Sequence, residues 1–171
     1  MITLVYGGSG SGKSAFAEDL VCKTNYANRY YLATMKSFDE ESEKRIKRHK
    51  SLRDGKGFIT VECPVDIENA IIDKDSIVLL ECMSNLVANE MFRDENSKTF
   101  IECADKILDD VKALSKKTDE LVIVTNNIFE DGISYEEGTK EYMRALGFIN
   151  ERLAEISKDV YEVVVGIGIK L

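Results

Sequence analysis

Eight residues near the N-terminus, Gly7-Gly8-Ser9-Gly10-Ser11-Gly12-Lys13-Ser14, constrain this chain more than any other stretch. They follow a short apolar run, Ile2-Thr3-Leu4-Val5-Tyr6, and precede a segment of helical composition. The spacing fits G-x-x-x-x-G-K-[ST], a phosphate-binding loop. Its glycines let the backbone curl so that several N–H groups converge on phosphate oxygens. A helix opening at Ser14 turns the positive end of its dipole to the same anion. Lys13 supplies a mobile cation for the outer phosphates, and the Ser14 hydroxyl can ligate Mg²⁺. A flexible Gly-Ser loop could match the pattern by chance, but it would lack the strand before and the helix after. Residues 7–14 are therefore the candidate phosphate site, with Lys13 the candidate catalytic cation.

The rest of the chain alternates in the same way. Strand candidates are Ile2–Tyr6, Arg29–Ala33, Phe58–Glu62, Ser76–Leu80, Glu120–Thr125 and Tyr161–Val165. Helical stretches lie between them at Ser14–Thr24, Asp39–Arg53, Asp66–Asp73, Ser84–Phe92, Thr99–Lys117 and Glu136–Lys158. The alternation predicts an α/β fold with a mostly parallel sheet covered on both faces. Ile77-Val78-Leu79-Leu80 is apolar at every position, as a central strand buried on both faces should be. Ile101, Ala104, Ile107, Leu108, Val111 and Leu114 recur at helical spacing and predict a core-facing stripe. The tail Val163-Val164-Val165-Gly166-Ile167-Gly168-Ile169-Lys170-Leu171 predicts a strand, a glycine turn and a short antiparallel strand. With no repeat, low-complexity tract or linker, residues 1–171 read as one nucleotide-binding domain.

Charge narrows the function classes. Thirty-one Asp and Glu against 23 Lys and Arg give a formal net charge of −8. A phosphate polyanion would meet a repulsive field, so neither nucleic acid nor an anionic membrane surface is the expected partner. No apolar run approaches the length of a membrane span, and no signal peptide is apparent, so a cytoplasmic protein is expected. Cys22, Cys63, Cys82 and Cys103 are widely spaced, which predicts reduced thiols in or near the core and neither a disulfide frame nor a zinc site.

Proteins with this loop commonly place an acid at the end of a second buried strand to orient Mg²⁺. Glu81, directly after Ser76–Leu80, occupies that place, although Asp is commoner there. A solvent-facing strand end is the plain alternative. A guanine-reading N/T-K-x-D is missing: after the fifth strand the chain reads Val124-Thr125-Asn126-Asn127-Ile128-Phe129-Glu130-Asp131-Gly132, with no lysine at the required place. That argues against a simple GTPase switch.

The single histidine, His49, lies in a helix expected from about Asp39, where Ser37-Phe38-Asp39-Glu40 fits a capping box. The second half of this helix is basic, with Lys44, Arg45, Lys47, Arg48, Lys50 and Arg53, and Arg45, His49 and Arg53 share a face. Few apolar residues anchor it, so it should be exposed and mobile. Spacing alone favours a solvated helix whose charges suit its own dipole. The alternative makes His49 a nucleophile. A neutral imidazole can attack phosphorus to form a phosphoramidate, splitting one hard transfer into two easier ones. Neighbouring cations would keep the imidazole neutral and stabilise the leaving group.

Gly7–Ser14, Tyr30-Tyr31-Leu32-Ala33-Thr34, Arg45-Ile46-Lys47-Arg48-His49-Lys50, Val61-Glu62-Cys63, Val78-Leu79-Leu80-Glu81-Cys82, Ile123-Val124-Thr125-Asn126 and the C-terminal Gly166-Ile167-Gly168-Ile169-Lys170 come in one order. Together they resemble the bifunctional adenosylcobinamide kinase/adenosylcobinamide-phosphate guanylyltransferase family of cobalamin synthesis, over essentially the whole chain. The glycine loop is widely shared, whereas R-I-x-x-H-K with G-I-G-[IV]-K is far more specific. The resemblance implies a P-loop NTPase-like three-layer sandwich. It implies phosphorylation of the adenosylcobinamide alcohol from ATP or GTP, then transfer of GMP from GTP through a guanylylated histidine, which falls on His49. It implies nucleotide contacts at Gly7 to Ser14, Thr34, Lys50, Ser51, Leu52, Arg53, Glu62 and Glu81, and Mg²⁺ at Ser14 and Glu81. It also implies a corrinoid substrate, a cytoplasmic location and a homo-oligomer, often a trimer.

The chain departs from that pattern in two places. Relatives commonly read T-N-E-V-G after the fifth strand, where this chain has Asn127 and extra residues before Gly132. Many carry R-D…G…N-Q in the last long helix, where this chain has Ala145 and Glu151. These changes bear on the kinase step and corrinoid preference more than on guanylylation. The rival readings are a P-loop kinase for another small molecule, with His49 a surface residue, and a GTP-binding module that transfers nothing.

Overall fold

The computed structural model describes residues 1–37, 40–93, 98–129, 132–133 and 135–171, with 41, 42, 45 and 52 described by their helical backbone alone. Seven strands form one sheet: β1 (Ile2–Gly7), β2 (Asn28–Ala33), β3 (Phe58–Glu62), β4 (Ser76–Glu81), β5 (Glu120–Asn126), β6 (Asp159–Val164) and β7 (Ile167–Lys170). Their order is β3-β2-β4-β5-β1-β6-β7. Every neighbouring pair is parallel except β6 and β7, which form the expected C-terminal hairpin.

Strand residues alternate between two cores because successive side chains leave a strand on opposite faces. On one face Leu4, Leu32, Val78, Leu80, Leu121 and Ile123 pack beneath α3 (Met83–Met91), α4 (Phe100–Ser115) and α5 (Glu137–Ile156). On the other, Val5, Tyr31, Ile77, Leu79, Val122 and Val124 meet Ala17 and Val21 of α1 (Lys13–Cys22). The remaining helix, α2 (Glu40–Arg53), connects β2 to β3. This is the three-layer α/β sandwich the sequence implies. All four cysteines are free, two of them buried.

Two expectations are corrected. Asp66–Asp73 is not a helix; only Ile67–Asn69 forms a single 3-10 turn. Asp66 takes a left-handed φ of 51°, and the Lys117 ammonium donates to the carbonyls of Glu68 and Ala70, which helical N–H groups would otherwise claim. Ile67 is buried while Ile71 is 87% exposed, so no apolar stripe supports a longer helix here. On α4, Ile101 is 41% exposed and Cys103 is buried in its stead. Ile101 lies in the first turn, where a reciprocal Thr99–Glu102 capping box sets the start of the helix. The remainder of the stripe, Ala104 to Leu114, is buried as expected. The capping box expected at Ser37–Glu40 includes residues 38 and 39, which lie outside the described residues.

The β3–β4 connection is pinned from below by α3 and α4. Glu90, fully buried, accepts from the Asp66 N–H at 2.8 Å and pairs with Lys98 at 3.2 Å and Lys106 at 2.8 Å. Its neighbour Asn89 donates to the carbonyls of Thr34 and Pro64, at 2.7 and 2.9 Å, and so joins the ends of β2 and β3.

Candidate active site

The glycine loop bridges β1 and α1. Gly12 caps the helix at φ 88°, a left-handed conformation that disfavours a side chain, and an added Cβ there would lie 3.0 Å from Gly166 Cα. The turn of the β6–β7 hairpin therefore presses directly on the loop, and the Gly166 N–H donates to Ser11 O at 2.7 Å. From the other side, the Asn127 N–H donates to Gly7 O at 2.9 Å. Lys13, buried apart from 8% of its surface, donates through Nζ to Gly8 O at 3.0 Å.

Glu81 ends β4, two strands from β1, because β5 lies between them. Even so, the Ser14 hydroxyl donates to Glu81 Oε1 at 2.8 Å. Oε2 is buried with no hydrogen-bond partner among the described residues. Burial pushes the carboxyl up to about 7, against the opposing effects of the Ser14 bond and the Lys13 charge. The solvent-facing alternative for Glu81 does not describe this environment. Thr34 lies behind it, fully buried. Its hydroxyl accepts from the Cys82 N–H and donates to Cys82 O, both at 2.8 Å, which braces the strand end that carries Glu81.

A cavity of about 370 Å³ opens beside Glu81, and among the residues lining it are Tyr31, His49, Lys50, Arg53 and Glu62. Five of the sequence candidates thus converge from α2, β3 and β4. Lys50 and Glu62 pair across its rim at 2.8 Å. The Ser51 hydroxyl turns back to Lys47 O, and Ser51 does not line the cavity. The side chains of Leu52 and Arg45 lie outside the described residues.

His49 is half-buried, and its Nδ1 is buried with no hydrogen-bond partner among the described residues. Burial is the main cause holding its pKa below the ordinary imidazole value, and the charges of Arg53, Arg48 and Lys13 act in the same direction against Glu18. The imidazole is therefore neutral near pH 7, as nucleophilic use requires. Arg53 is 6% exposed, with its guanidinium 3.4 Å from the Tyr31 ring centroid and at 3.5 Å from Thr60 Oγ1. Its Nε is buried and unpartnered among the described residues. A cation buried against a neutral ring and a hydroxyl is suited to an anion entering the cavity.

Sequence reading missed what seats α2. Its C-terminal end runs into Asp54-Gly55-Lys56-Gly57, where both glycines take positive φ, at 76° and 72°. That turn brings Lys56 Nζ to 2.6 Å from Glu18 Oε2 on α1. Glu18 is four residues after Ser14, on the same helical face, and its side chain is only 3% exposed. The available signal was a lysine between two glycines. Lys56→Met should destabilise the fold by about 1–3 kcal/mol and more than Glu18→Gln does, because it strands a buried carboxylate. Urea unfolding of both variants and their double would check this; an equal or reversed order would mean the stranded carboxylate is not the larger cost, and a coupling near zero in the cycle would mean the pair carries no net attraction.

Comparison with known proteins gives the chain a family. Residues 3–171 match the family model described as cobinamide kinase / cobinamide phosphate guanyltransferase. The bifunctional adenosylcobalamin biosynthesis protein CobU of Salmonella typhimurium is 31% identical over 100% of this chain and 99% of its own length. Its Escherichia coli counterpart is 28% identical over the same shares. Among solved structures, an ATPase domain aligns with a TM-score of 0.51 at 14% identity, covering 94% of this chain and 68% of that one, a likeness of fold alone.

Proposed function

Because the chain belongs to the cobinamide kinase / cobinamide phosphate guanyltransferase family, we propose that it catalyses both family reactions and passes GMP through a covalent bond to His49. It is read as a single nucleotide-binding domain. The observation that carries the proposal is the cavity shared by His49, the buried Arg53 cation and Glu81.

In the guanylyl step, the unprotonated nitrogen of His49 attacks the α-phosphorus of GTP. The bond from that phosphorus to the α,β-bridging oxygen breaks, and pyrophosphate leaves. An oxygen of cobinamide phosphate then attacks the same phosphorus, the P–N bond breaks, and His49 is regenerated with formation of cobinamide-GDP. Arg53 and Lys50 stabilise the charge that builds on the phosphoryl oxygens. In the kinase step, Lys13 and the loop N–H groups hold the γ-phosphoryl group of ATP or GTP as it passes to the cobinamide hydroxyl. Ser14 and the orphaned Oε2 of Glu81 fit a Mg²⁺ ion, which would neutralise phosphate charge there. Thr34 contributes by bracing Glu81. A soluble cytoplasmic enzyme fits this chemistry, and among the described residues no helix is long and apolar enough to cross a membrane. A homo-oligomer is part of the same reading.

The test is incubation with Mg²⁺ and GTP labelled at the α-phosphate, without corrinoid, followed by denaturation. Acid-labile label should remain on the protein, and cobinamide phosphate should release it. A protein that binds GTP yet retains no label would be a kinase without a covalent step. The pH profile is a second check. The imidazolium cannot attack, so at saturating Mg²⁺ the labelling rate should fall in acid with a midpoint below the ordinary imidazole value of about 6.5. Arg53→Met should raise that midpoint by removing a cation that disfavours protonation; an unmoved midpoint would assign the limb to another group.

A further inference from the structure

A second cavity lies against the phosphate loop. Its volume is about 490 Å³, and it is lined by Gly8 of the loop, Asn127 and Ile128 after β5, and Thr139, Tyr142 and Met143 on the first turns of α5, with Tyr135 ahead of them. We propose that this cavity is the subsite for the alcohol acceptor of the kinase step, and that it takes an uncharged, hydroxyl-bearing, amide-containing arm of a large substrate. The assignment rests on the kinase half of the function proposed above.

Its position meets the geometric demand of phosphoryl transfer. The attacking oxygen must approach the γ-phosphorus from the side opposite the leaving oxygen, so the acceptor needs its own space against the loop. The cavity lies at the carboxyl ends of β1 and β5, where open parallel sheets bind ligands. Gly7 and Asn126 are paired in register there, and Asn127 is bonded to Gly7 O. Gly8 lines the cavity and also accepts from Lys13 Nζ. The cation assigned to the γ-phosphoryl group is thus bonded to the residue that faces the acceptor.

The chemistry of the lining separates the two cavities. Beside Glu81, the wall carries the cations Lys36, Lys50 and Arg53, which suit phosphates, together with His49 and the Lys50-paired Glu62. Among the described residues, the second cavity has no charged side chain in its lining. An alcohol can enter it without meeting a charged side chain among the described lining residues, with Lys13 bonded to Gly8 at the edge that faces the loop. The described lining thus suits an uncharged acceptor. Asn127 and Thr139 offer hydrogen-bonding groups suited to amides, while Ile128, Met143 and the tyrosine rings supply apolar surface.

The wall is built on fixed elements. Residues 139, 142 and 143 share one face of α5. The Tyr142 hydroxyl donates to Ser84 O at 3.3 Å, and burial pushes its phenol up to about 12, so it remains neutral. The Thr125 hydroxyl donates to Asn150 Oδ1 at 2.6 Å and ties α5 to the end of β5. In the step itself, the acceptor hydroxyl oxygen bonds to the γ-phosphorus and the bond to the β,γ-bridging oxygen breaks. The nucleoside diphosphate leaves, and the hydroxyl proton passes to an oxygen of the transferred group and then to water.

Thr139→Trp fills the cavity from the half-buried start of α5, and Asn127→Leu removes the amide at similar volume. Steady-state phosphorylation of cobinamide with ATP should show its KM raised at least about tenfold in Thr139→Trp and several-fold in Asn127→Leu. The KM for ATP, and labelling by GTP without acceptor, should stay within about twofold of the parent. An unchanged cobinamide KM in both variants would overturn the subsite while leaving the function intact. Parallel loss of acceptor use and GTP labelling in both would overturn it too, since the residues would then serve the nucleotide site. A parent enzyme that labels with GMP but phosphorylates no cobinamide would remove the kinase reading itself.

Discussion

His49→Ala is expected to lower retention of GMP by at least about 10³-fold, the scale seen when a covalent nucleophile is removed, while phosphorylation of cobinamide stays within about threefold of the parent. The split follows from the architecture. Transfer to His49 needs the imidazole itself, because Cys82, the thiol that also lines the cationic cavity, is held in its protonated form by burial. Transfer of the γ-phosphoryl group needs the loop, Lys13 and Glu81, none of which His49 contacts through a hydrogen bond among the described residues. The variant should also fold: His49 is half-buried and its Nδ1 has no partner to orphan among the described residues, so the stability change should stay within about 1 kcal/mol. His49→Asn should not restore labelling, since an amide nitrogen is not nucleophilic. If His49→Ala kept its label, the covalent residue would lie elsewhere. If it lost both activities together, the helix would be serving the nucleotide site as a whole.

The loop and its acid were legible in sequence because both are local: eight contiguous residues, and one carboxylate after an all-apolar strand. The strands were legible for a similar reason, since burial on two faces leaves continuous runs such as Ile77–Leu80. His49 was visible as the only histidine, yet its environment was not. Nothing in the spacing shows that Arg53 lies on Tyr31, or that Lys56 reaches Glu18 across 38 positions. Such contacts depend on where the turn at Asp54–Gly57 directs the chain. Thr34 shows a subtler gap: the motif marks it as a nucleotide contact, whereas both hydrogen-bonding roles of its hydroxyl are taken by Cys82. The Asp66–Asp73 error arose because composition cannot show a carbonyl being claimed by a lysine 47 or 49 residues away. The second cavity is assembled from the loop after β5 and one face of α5, the two segments where this chain departs from its relatives' patterns, so no intact motif marked it.

Glu81→Gln should make the ligand-free protein more stable at pH 8 and nearly inactive in both transfers. The sign follows from the raised pKa. The folded carboxyl titrates at about 7 against an ordinary 4.5, so the folded state binds the proton more tightly. The stabilisation from this group is complete below about pH 4.5 and is lost as pH rises through about 7, beyond which the buried carboxylate opposes folding. At 1.36 kcal/mol per pH unit the full effect would be about 3.4 kcal/mol, and water reaching the site reduces it, so a gain of about 1–3 kcal/mol is expected for the neutral isostere. Gln can still accept from Ser14, so no hydrogen bond is sacrificed. The advantage should shrink toward zero near pH 4.5, and urea unfolding at the two pH values would measure it. Activity should move the other way, falling about 10²-fold or more, because the orphaned Oε2 is an oxygen that a hard cation can use and the Gln amide offers an N–H₂ in its place. Mg²⁺ with nucleotide should accordingly raise the melting temperature of the parent more than that of the variant. A carboxylate that weakens the fold it belongs to is explained by a ligand, since packing alone would favour the neutral side chain. A variant less stable than the parent at pH 8, or one with normal turnover, would return Glu81 to a purely structural role.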